Sequence, residues 1–201
     1  MAISIIEKLR IPLSRLLVTA LIILIFCSES KWEETILGAI LFASGCFLVA
    51  VAAIGRLWCS VYIAGYKTNV LITKGPYSIC RHPLYFFSFL GAVGLGLATE
   101  SFVILFIIFS AFVTYYPSVI KSEEADLLNR HGDAYKIYRS ATPVFFPHLS
   151  LLQEPDTAMV HTRIFRKHSL DGLWFMWLVG IIESFEAFQK LGILPVFFNL
   201  H

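Results

Sequence analysis

The stretch GPYSICRHPLY, residues 75–85, stands directly before the apolar run FFSFLGAVGLGLAT, residues 86–99. The first stretch carries an arginine, a histidine and two tyrosines, whereas the second contains no charged side chain. Pro83 suits the first turn of a helix, where its missing N–H costs no hydrogen bond. The junction therefore predicts a membrane helix whose amino-terminal end carries a polar cluster at the membrane edge.

The composition of the chain places it in a bilayer. Of its 201 residues, 57% are hydrophobic and only 15% are charged, which is too little polar surface to cover a soluble protein of this size. A helix that crosses the hydrocarbon core needs about 20 mostly apolar residues. The candidate segments are residues 11–27, 36–54, 83–99 and 101–120, with a weaker fifth at 170–188. The predicted fold is one all-α integral membrane domain, residues 1–201, with four or five transmembrane helices.

The sixteen Lys and Arg residues are distributed unevenly along the chain. Two precede the first predicted helix and a third, Arg15, lies near its start; four lie in the loop of residues 55–82, and seven follow the fourth helix. The remaining two, Lys31 and Lys190, fall on the other side. Basic residues favour the cytoplasmic side of a membrane. The pattern predicts a multi-pass protein with its amino terminus in the cytoplasm, so that the polar cluster faces the cytosol.

A second polar cluster follows the fourth predicted helix, in KSEEADLLNRHGDAYKIY, residues 121–138. Adjacent Glu123 and Glu124 project about 100° apart on a helix, so one can point inward while the other meets water. Gly132 marks a turn and Asp133 a helix cap. These signals predict a cytoplasmic helical hairpin after helix four.

The two clusters can meet on one face of the membrane, with Arg81 and His82 opposite the glutamate pair. Opposite charges beside aromatic rings suit a zwitterionic ligand or one that carries a sulfonium. The simpler interpretation is that these residues are interfacial anchors, since tyrosines and charged side chains are common at membrane edges. The four cysteines and six histidines show no metal-ligand spacing, so no metal site is predicted.

The first stretch and EEADLLNRHGDAYKIYRSATPVFFP, residues 123–147, together resemble the membrane methyltransferases typified by isoprenylcysteine carboxyl methyltransferase, with the phospholipid amine methyltransferases as relatives. The resemblance covers residues 62–147 as a methyltransferase core and finds no counterpart for the additional segment of residues 150–201. It implies S-adenosyl-L-methionine as the cofactor. The residues implied for cofactor binding are Asn69, Val70, Leu71, Ile72, Tyr77, His82, Pro83, Leu84, Tyr85 and Glu123. We assign catalysis to Arg81, Glu123 and Glu124.

The predicted function is methyl transfer to a lipid-like or prenylated acceptor within the membrane, with membrane lipids as partners and no nucleic acid. A carboxylate acceptor of the isoprenylcysteine type is the first choice, although Val119 stands where the carboxyl methyltransferases carry an arginine. The alternative is a phospholipid amine, which must first lose a proton, with Glu124 as the candidate base. A non-enzymatic membrane protein that binds lipid is the third hypothesis.

Overall fold

The computed structural model is built from helices and describes residues 19, 23–25, 28–30, 32, 35–64, 70–194 and 198–200. Its helices are α1 (Ile36–Ile63), α2 (Pro76–Ile79), α3 (Pro83–Ala98), α4 (Phe102–Ala141) and α5 (Thr162–Lys190), with a 3-10 turn at Leu149–Leu151. Two three-residue strands, β1 (Ser28–Ser30) and β2 (Phe198–Leu200), pair in parallel. The helical architecture predicted from the sequence is confirmed.

The predicted membrane segments and the observed helices agree in part. The segment of residues 11–27 lies almost entirely outside the described residues. By length and apolar composition, α1 and α4 could each cross a membrane, and α3 is a shorter apolar helix of 16 residues. Helix α5 begins at Thr162 rather than at residue 170.

The position predicted for Arg56 was wrong. The sequence analysis placed it in a loop, whereas α1 continues past residue 54 to Ile63 and keeps Arg56 within the helix. The physical reason is that residues 56–63 contain neither proline nor glycine, so nothing stops the helix when its apolar run ends. The charge ends the hydrophobic stretch without ending the helix.

Helices α1 and α3 pack closely through glycines. A Cβ atom added to Gly45 would lie 2.6 Å from the backbone nitrogen of Ala98 and from the carbonyl oxygen of Gly94. Backbone atoms cannot move aside as a flexible side chain can, so only glycine permits this approach. Small residues at such crossings are a common basis for helix association in membranes.

We expect Gly45→Val to destabilise the protein by about 1–3 kcal/mol, because the added methyl groups overpack the crossing of α1 with α3. Thermal unfolding in a mild detergent measures the effect. The matched control is Gly180→Ala in α5, where an added Cβ meets nothing within 4 Å. A control variant that loses as much stability as Gly45→Val would contradict this account of the packing.

The chain changes direction within α4. Gly132 has φ 53° and ψ −124°, a conformation that breaks the helix and that glycine adopts without steric penalty. Beyond it, Arg139 Nη2 lies 4.0 Å from Glu124 Oε2. A straight helix would separate residues fifteen apart by about 22 Å, so the chain folds back after Gly132.

Residues 143–153, which we call the returning segment, are tied to the segment that precedes α3. The backbone N–H groups of Arg81 and His82 donate to the carbonyls of Pro143 and Val144, at 2.8 and 3.3 Å. Two more bonds join His148 N to Ile79 O at 2.9 Å and Gly75 N to Gln153 O at 2.8 Å. These bonds fix the backbone that carries the polar cluster.

Candidate active site

A pocket opens where the end of α1, the start of α3 and the middle of α4 meet. Its lining is apolar on one side and carries charges of both signs on the other. The lining residues are Ile63, Val70, Leu71, Ile72, Tyr77, Arg81, His82, Leu84, Tyr85, Glu123, Leu127 and Tyr138. The pocket thus joins the two polar clusters that the sequence separates by about forty residues.

Arg81 and Glu124 form a buried ion pair at the pocket. Arg81 Nη1 lies 2.5 Å from Glu124 Oε1, and their side chains are only 7% and 13% exposed. Glu124 Oε1 is also 3.5 Å from His82 Nε2. Glu124 is not among the lining residues. It therefore holds Arg81 and His82 in place from behind.

Glu123 takes the other orientation and lines the pocket. Its side chain is 36% exposed, and its Oε2 lies 3.7 Å from His82 Nδ1. The imidazole of His82 stacks on the ring of Tyr85, with 5.7 Å between the centroids and 18° between the planes. A carboxylate, an imidazole and an aromatic face are therefore presented side by side.

Six buried polar atoms at or beside the site make no hydrogen bond to another described residue. Two of them, Arg81 Nη1 and Glu124 Oε1, form the ion pair with each other. The others are Arg81 Nε, His82 Nε2, Glu123 Oε2 and Tyr135 Oη. Leaving a buried donor or acceptor unsatisfied costs about 1–3 kcal/mol, and more for a charged group. Such a group calls for an explanation, and here it is consistent with a polar ligand that satisfies these atoms.

Most residues predicted to bind a cofactor surround this pocket. Those that line it are Val70, Leu71, Ile72, Tyr77, His82, Leu84, Tyr85 and Glu123, together with Arg81 from the catalytic set. Pro83 is fully buried in the first turn of α3 and does not line the pocket. Asn69 lies outside the described residues. The cofactor role of these residues stays a prediction.

The sequence analysis missed three lining residues, which are Ile63, Leu127 and Tyr138. Leu127 could have been found, because it lies one helical turn after Glu123 and shares its face. Tyr138 could be predicted only by knowing that the chain folds back at Gly132, because it reaches the pocket only after that turn. There its Oη donates a hydrogen bond of 2.7 Å to the carbonyl of Tyr77.

Burial favours the neutral forms of three groups that line the pocket, His82, Tyr77 and Tyr138. Burial lowers the pKa of His82 below its ordinary value of 6.5, against the opposing influence of Glu123 and Glu124. Burial also raises the pKa of Tyr77 and of Tyr138. At neutral pH the pocket therefore contains an uncharged imidazole and two uncharged phenols.

This environment predicts a pH dependence of stability. Below pH 6.5 the unfolded chain takes up a proton on His82 that the folded chain resists, because the folded pKa is the lower one. The stabilisation is fully present above pH 6.5 and is lost as the pH falls toward the folded pKa. The slope is at most about 1.4 kcal/mol per pH unit for one group.

We expect His82→Gln to flatten this dependence, which unfolding curves recorded between about pH 5 and 7.5 will show. The control is His148→Gln, because His148 is an exposed histidine. An unchanged slope in His82→Gln would contradict the assignment to His82.

The comparisons with known proteins converge on a membrane methyltransferase. The model of the phospholipid methyltransferase family matches residues 33–134. The chain is also 32% identical over 81 residues to the protein-S-isoprenylcysteine O-methyltransferase of Schizosaccharomyces pombe, which covers 40% of this chain and 34% of that protein. No solved structure matches the chain.

Two longer matches are to bacterial metal-resistance proteins. The nickel-cobalt-cadmium resistance protein NccN of Alcaligenes xylosoxydans xylosoxydans is 39% identical over 194 residues, or 96% of this chain and 91% of the relative. The cobalt-zinc-cadmium resistance protein CzcN of Cupriavidus metallidurans is 40% identical over 185 residues, or 92% of this chain and 85% of the relative. Both matches are nearly full length.

The family match includes α1, α3 and the part of α4 that carries the glutamate pair, and so contains most of the pocket. It agrees with the resemblance that the two polar stretches carry, which is thereby confirmed. The chain belongs to the phospholipid methyltransferase family.

Proposed function

We propose that the chain is an S-adenosyl-L-methionine-dependent methyltransferase that acts on a lipid-like or prenylated acceptor at the cytoplasmic face of a membrane. One observation carries this proposal. Arg81, His82 and Glu123 converge on a single pocket at the amino-terminal end of an apolar helix, with buried polar atoms that no described residue satisfies. A water-soluble cofactor and an acceptor held in lipid could both reach this position.

The residues present fit this cofactor. The carboxylate of Glu123 would hold the ammonium of its amino-acid head, and Arg81 Nε would hold its carboxylate. The ring of Tyr85 offers a face for the sulfonium, while Val70, Leu71 and Ile72 offer apolar contact. When bound, S-adenosyl-L-methionine supplies an electrophilic methyl group. The residues of the pocket orient the reactants and exclude water.

The geometry favours an acceptor that needs no base, because Glu124 is engaged by Arg81 and does not line the pocket. The first choice therefore remains a carboxylate of the isoprenylcysteine type. The second choice is a phospholipid amine, which the description of the matching family favours. In that case the neutral His82 could accept the proton of the amine at Nδ1, since its Nε2 faces Glu124 Oε1 at 3.5 Å behind the pocket.

We further propose a multi-pass topology in which α1, α3 and α4 cross the membrane. The segment before α1, the helix α5, or both of these would be further spans. The fold-back at Gly132 would then form a helical hairpin over the cytoplasmic face. The supporting contact is the approach of Arg139 to Glu124 at the pocket. The sequence supports the same side, because three basic residues lie between α1 and α3 and four more follow Ile120 within α4, whereas the segment between α3 and α4 has none.

The names of the two nearly full-length relatives suggest a physiological setting. One is called a nickel-cobalt-cadmium resistance protein and the other a cobalt-zinc-cadmium resistance protein. Within the described part of the chain, no three His, Cys, Asp or Glu residues cluster as ligands of a metal ion. We infer that the chain contributes to metal resistance by methylating a membrane component.

Membranes that contain the protein, incubated with methyl-labelled cofactor, test the proposal. We expect label in a farnesylated cysteine analogue if the acceptor is a carboxylate, and in phosphatidylethanolamine if it is an amine. Glu123→Ala is the negative control. Incorporation into neither acceptor, together with no binding of the cofactor by folded protein, would overturn the assignment as an enzyme.

A further inference from the structure

A half-buried charged side chain of α1, Arg56, contacts α3 and α5 on the bilayer side of the pocket. Arg56 directly follows the uncharged residues 36–55 of α1, a run of 20 residues that is about 30 Å long. Seven residues further on, about 10 Å along the axis, Ile63 lines the pocket. Arg56 therefore sits near the boundary between the hydrocarbon core and the headgroups, below the site.

The charge of Arg56 is not balanced by its neighbours. Its Nη1 donates a hydrogen bond of 2.5 Å to Ser88 Oγ, and its guanidinium lies 5.6 Å from the ring centroid of Phe175. Its Nε is buried and makes no hydrogen bond to another described residue. In the part of the chain that the structure describes, no carboxylate lies within ion-pair distance of it. The side chain as a whole is half-buried, and a shielded donor of a charged group is expensive to leave unsatisfied.

Aromatic side chains connect Arg56 with the pocket. Tyr85, which lines the pocket, contacts Tyr116 edge to face with 5.3 Å between the ring centroids. Tyr116 lies within electrostatic reach of Arg56 and stacks on Phe112 at 3.6 Å. An acceptor whose reactive end is at the pocket would thus lie along this aromatic wall, with an adjacent group beside the guanidinium.

We propose that Arg56 binds an anionic group next to the reactive end of the membrane acceptor, either a carboxylate or a phosphate, and so determines which lipids are accepted. This inference rests on the proposed function and specifies its substrate class. A guanidinium binds either group through two parallel N–H···O hydrogen bonds. Nε, which makes no hydrogen bond to another described residue, is one of the two donors on such a side of the guanidinium. The position of Arg56 at the headgroup level leaves the tail of the acceptor in the bilayer.

Binding of single amphiphiles tests the proposal without requiring turnover. The anionic probes are N-acetyl-S-farnesylcysteine and dodecyl phosphate, and the neutral probes are the carboxamide of the former and dodecanol. Each is titrated into wild type, Arg56→Gln and Arg56→Lys in a nonionic detergent. We expect Arg56→Gln to weaken binding of the anionic probes about 10- to 100-fold and to leave binding of the neutral probes unchanged. Arg56→Lys should retain part of the affinity for the anionic probes. Tighter binding of the carboxylate probe would identify a carboxylate as the group beside Arg56, and the reverse order a phosphate.

Equal weakening of neutral and anionic probes, or no change in either, would overturn the role of Arg56. If Arg56→Gln does not fold, the ratio of anionic to neutral affinity in Arg56→Lys decides the matter, and an unchanged ratio there counts against the proposal. Cofactor binding is measured on the same samples. If the cofactor binds normally and the affinity for the anionic probes does not depend on Arg56, only this inference is contradicted. If wild type binds no cofactor, the proposed function is contradicted.

Discussion

Arg81→Met is expected to lower the free energy of unfolding by about 3–5 kcal/mol, the largest loss among the variants considered. The substitution leaves the carboxylate of Glu124 buried without its nearest cation, which lies 2.5 Å away in the intact protein. The remaining cation, Arg139, is 4.0 Å from Glu124 and half exposed, so it replaces little of the lost interaction. Denaturation in a mild detergent measures the change.

Two further variants make this expectation specific. The double variant Arg81→Met with Glu124→Met removes both charges, so it should recover much of the stability that the single variant loses. Arg130→Met is the matched control, because it breaks the exposed pair of Arg130 with Asp126 on the same helix and should cost under about 1 kcal/mol. If Arg81→Met costs no more than this control, the buried pair is not a structural element of the site.

Glu123→Gln is expected to weaken binding of S-adenosyl-L-methionine about 10- to 100-fold, because it removes the carboxylate that lines the pocket. Stability should change little, since Glu123 Oε2 makes no hydrogen bond to another described residue, and its contact with His82 Nδ1, at 3.7 Å, is with an imidazole whose neutral form burial favours. Equilibrium binding of labelled cofactor to purified protein measures the effect.

Asp126→Asn is the control for Glu123→Gln, because Asp126 is an exposed acid one turn along the same helix. It should bind the cofactor as wild type does. Equal affinities in wild type and Glu123→Gln would place the cofactor elsewhere. Loss of binding in both variants would indicate a general effect of acidic charge near the membrane.

The sequence was sufficient to predict the class of the fold and the meeting of the two polar clusters. Apolar runs define membrane helices by length alone, and a proline after His82 marks the start of α3. The end of α1 was harder to predict, because the apolar run that indicates the helix ends before Arg56, whereas the helix itself continues to Ile63. The arginine that carries the further inference was for this reason assigned to a loop.

The roles of the two glutamates could not be separated from the sequence. Helical geometry requires only that Glu123 and Glu124 point about 100° apart. Which of them lines the pocket depends on the rotation of α4 against α3 and on the ion pair of Glu124 with Arg81. Both are consequences of tertiary packing, and neither leaves a periodic signal in the chain.

The bonds between the returning segment and residues 75–82 determine when the site can form during synthesis. The carbonyls of Pro143 and Val144 hold the backbone of Arg81 and His82, and Gln153 holds Gly75. While the ribosome is still making α4, the cluster before α3 has been synthesised but lacks these partners. The backbone around the pocket is therefore fully bonded only after Gln153 has been synthesised, and a chain truncated before Pro143 would lack the backbone bonds that hold Arg81 and His82.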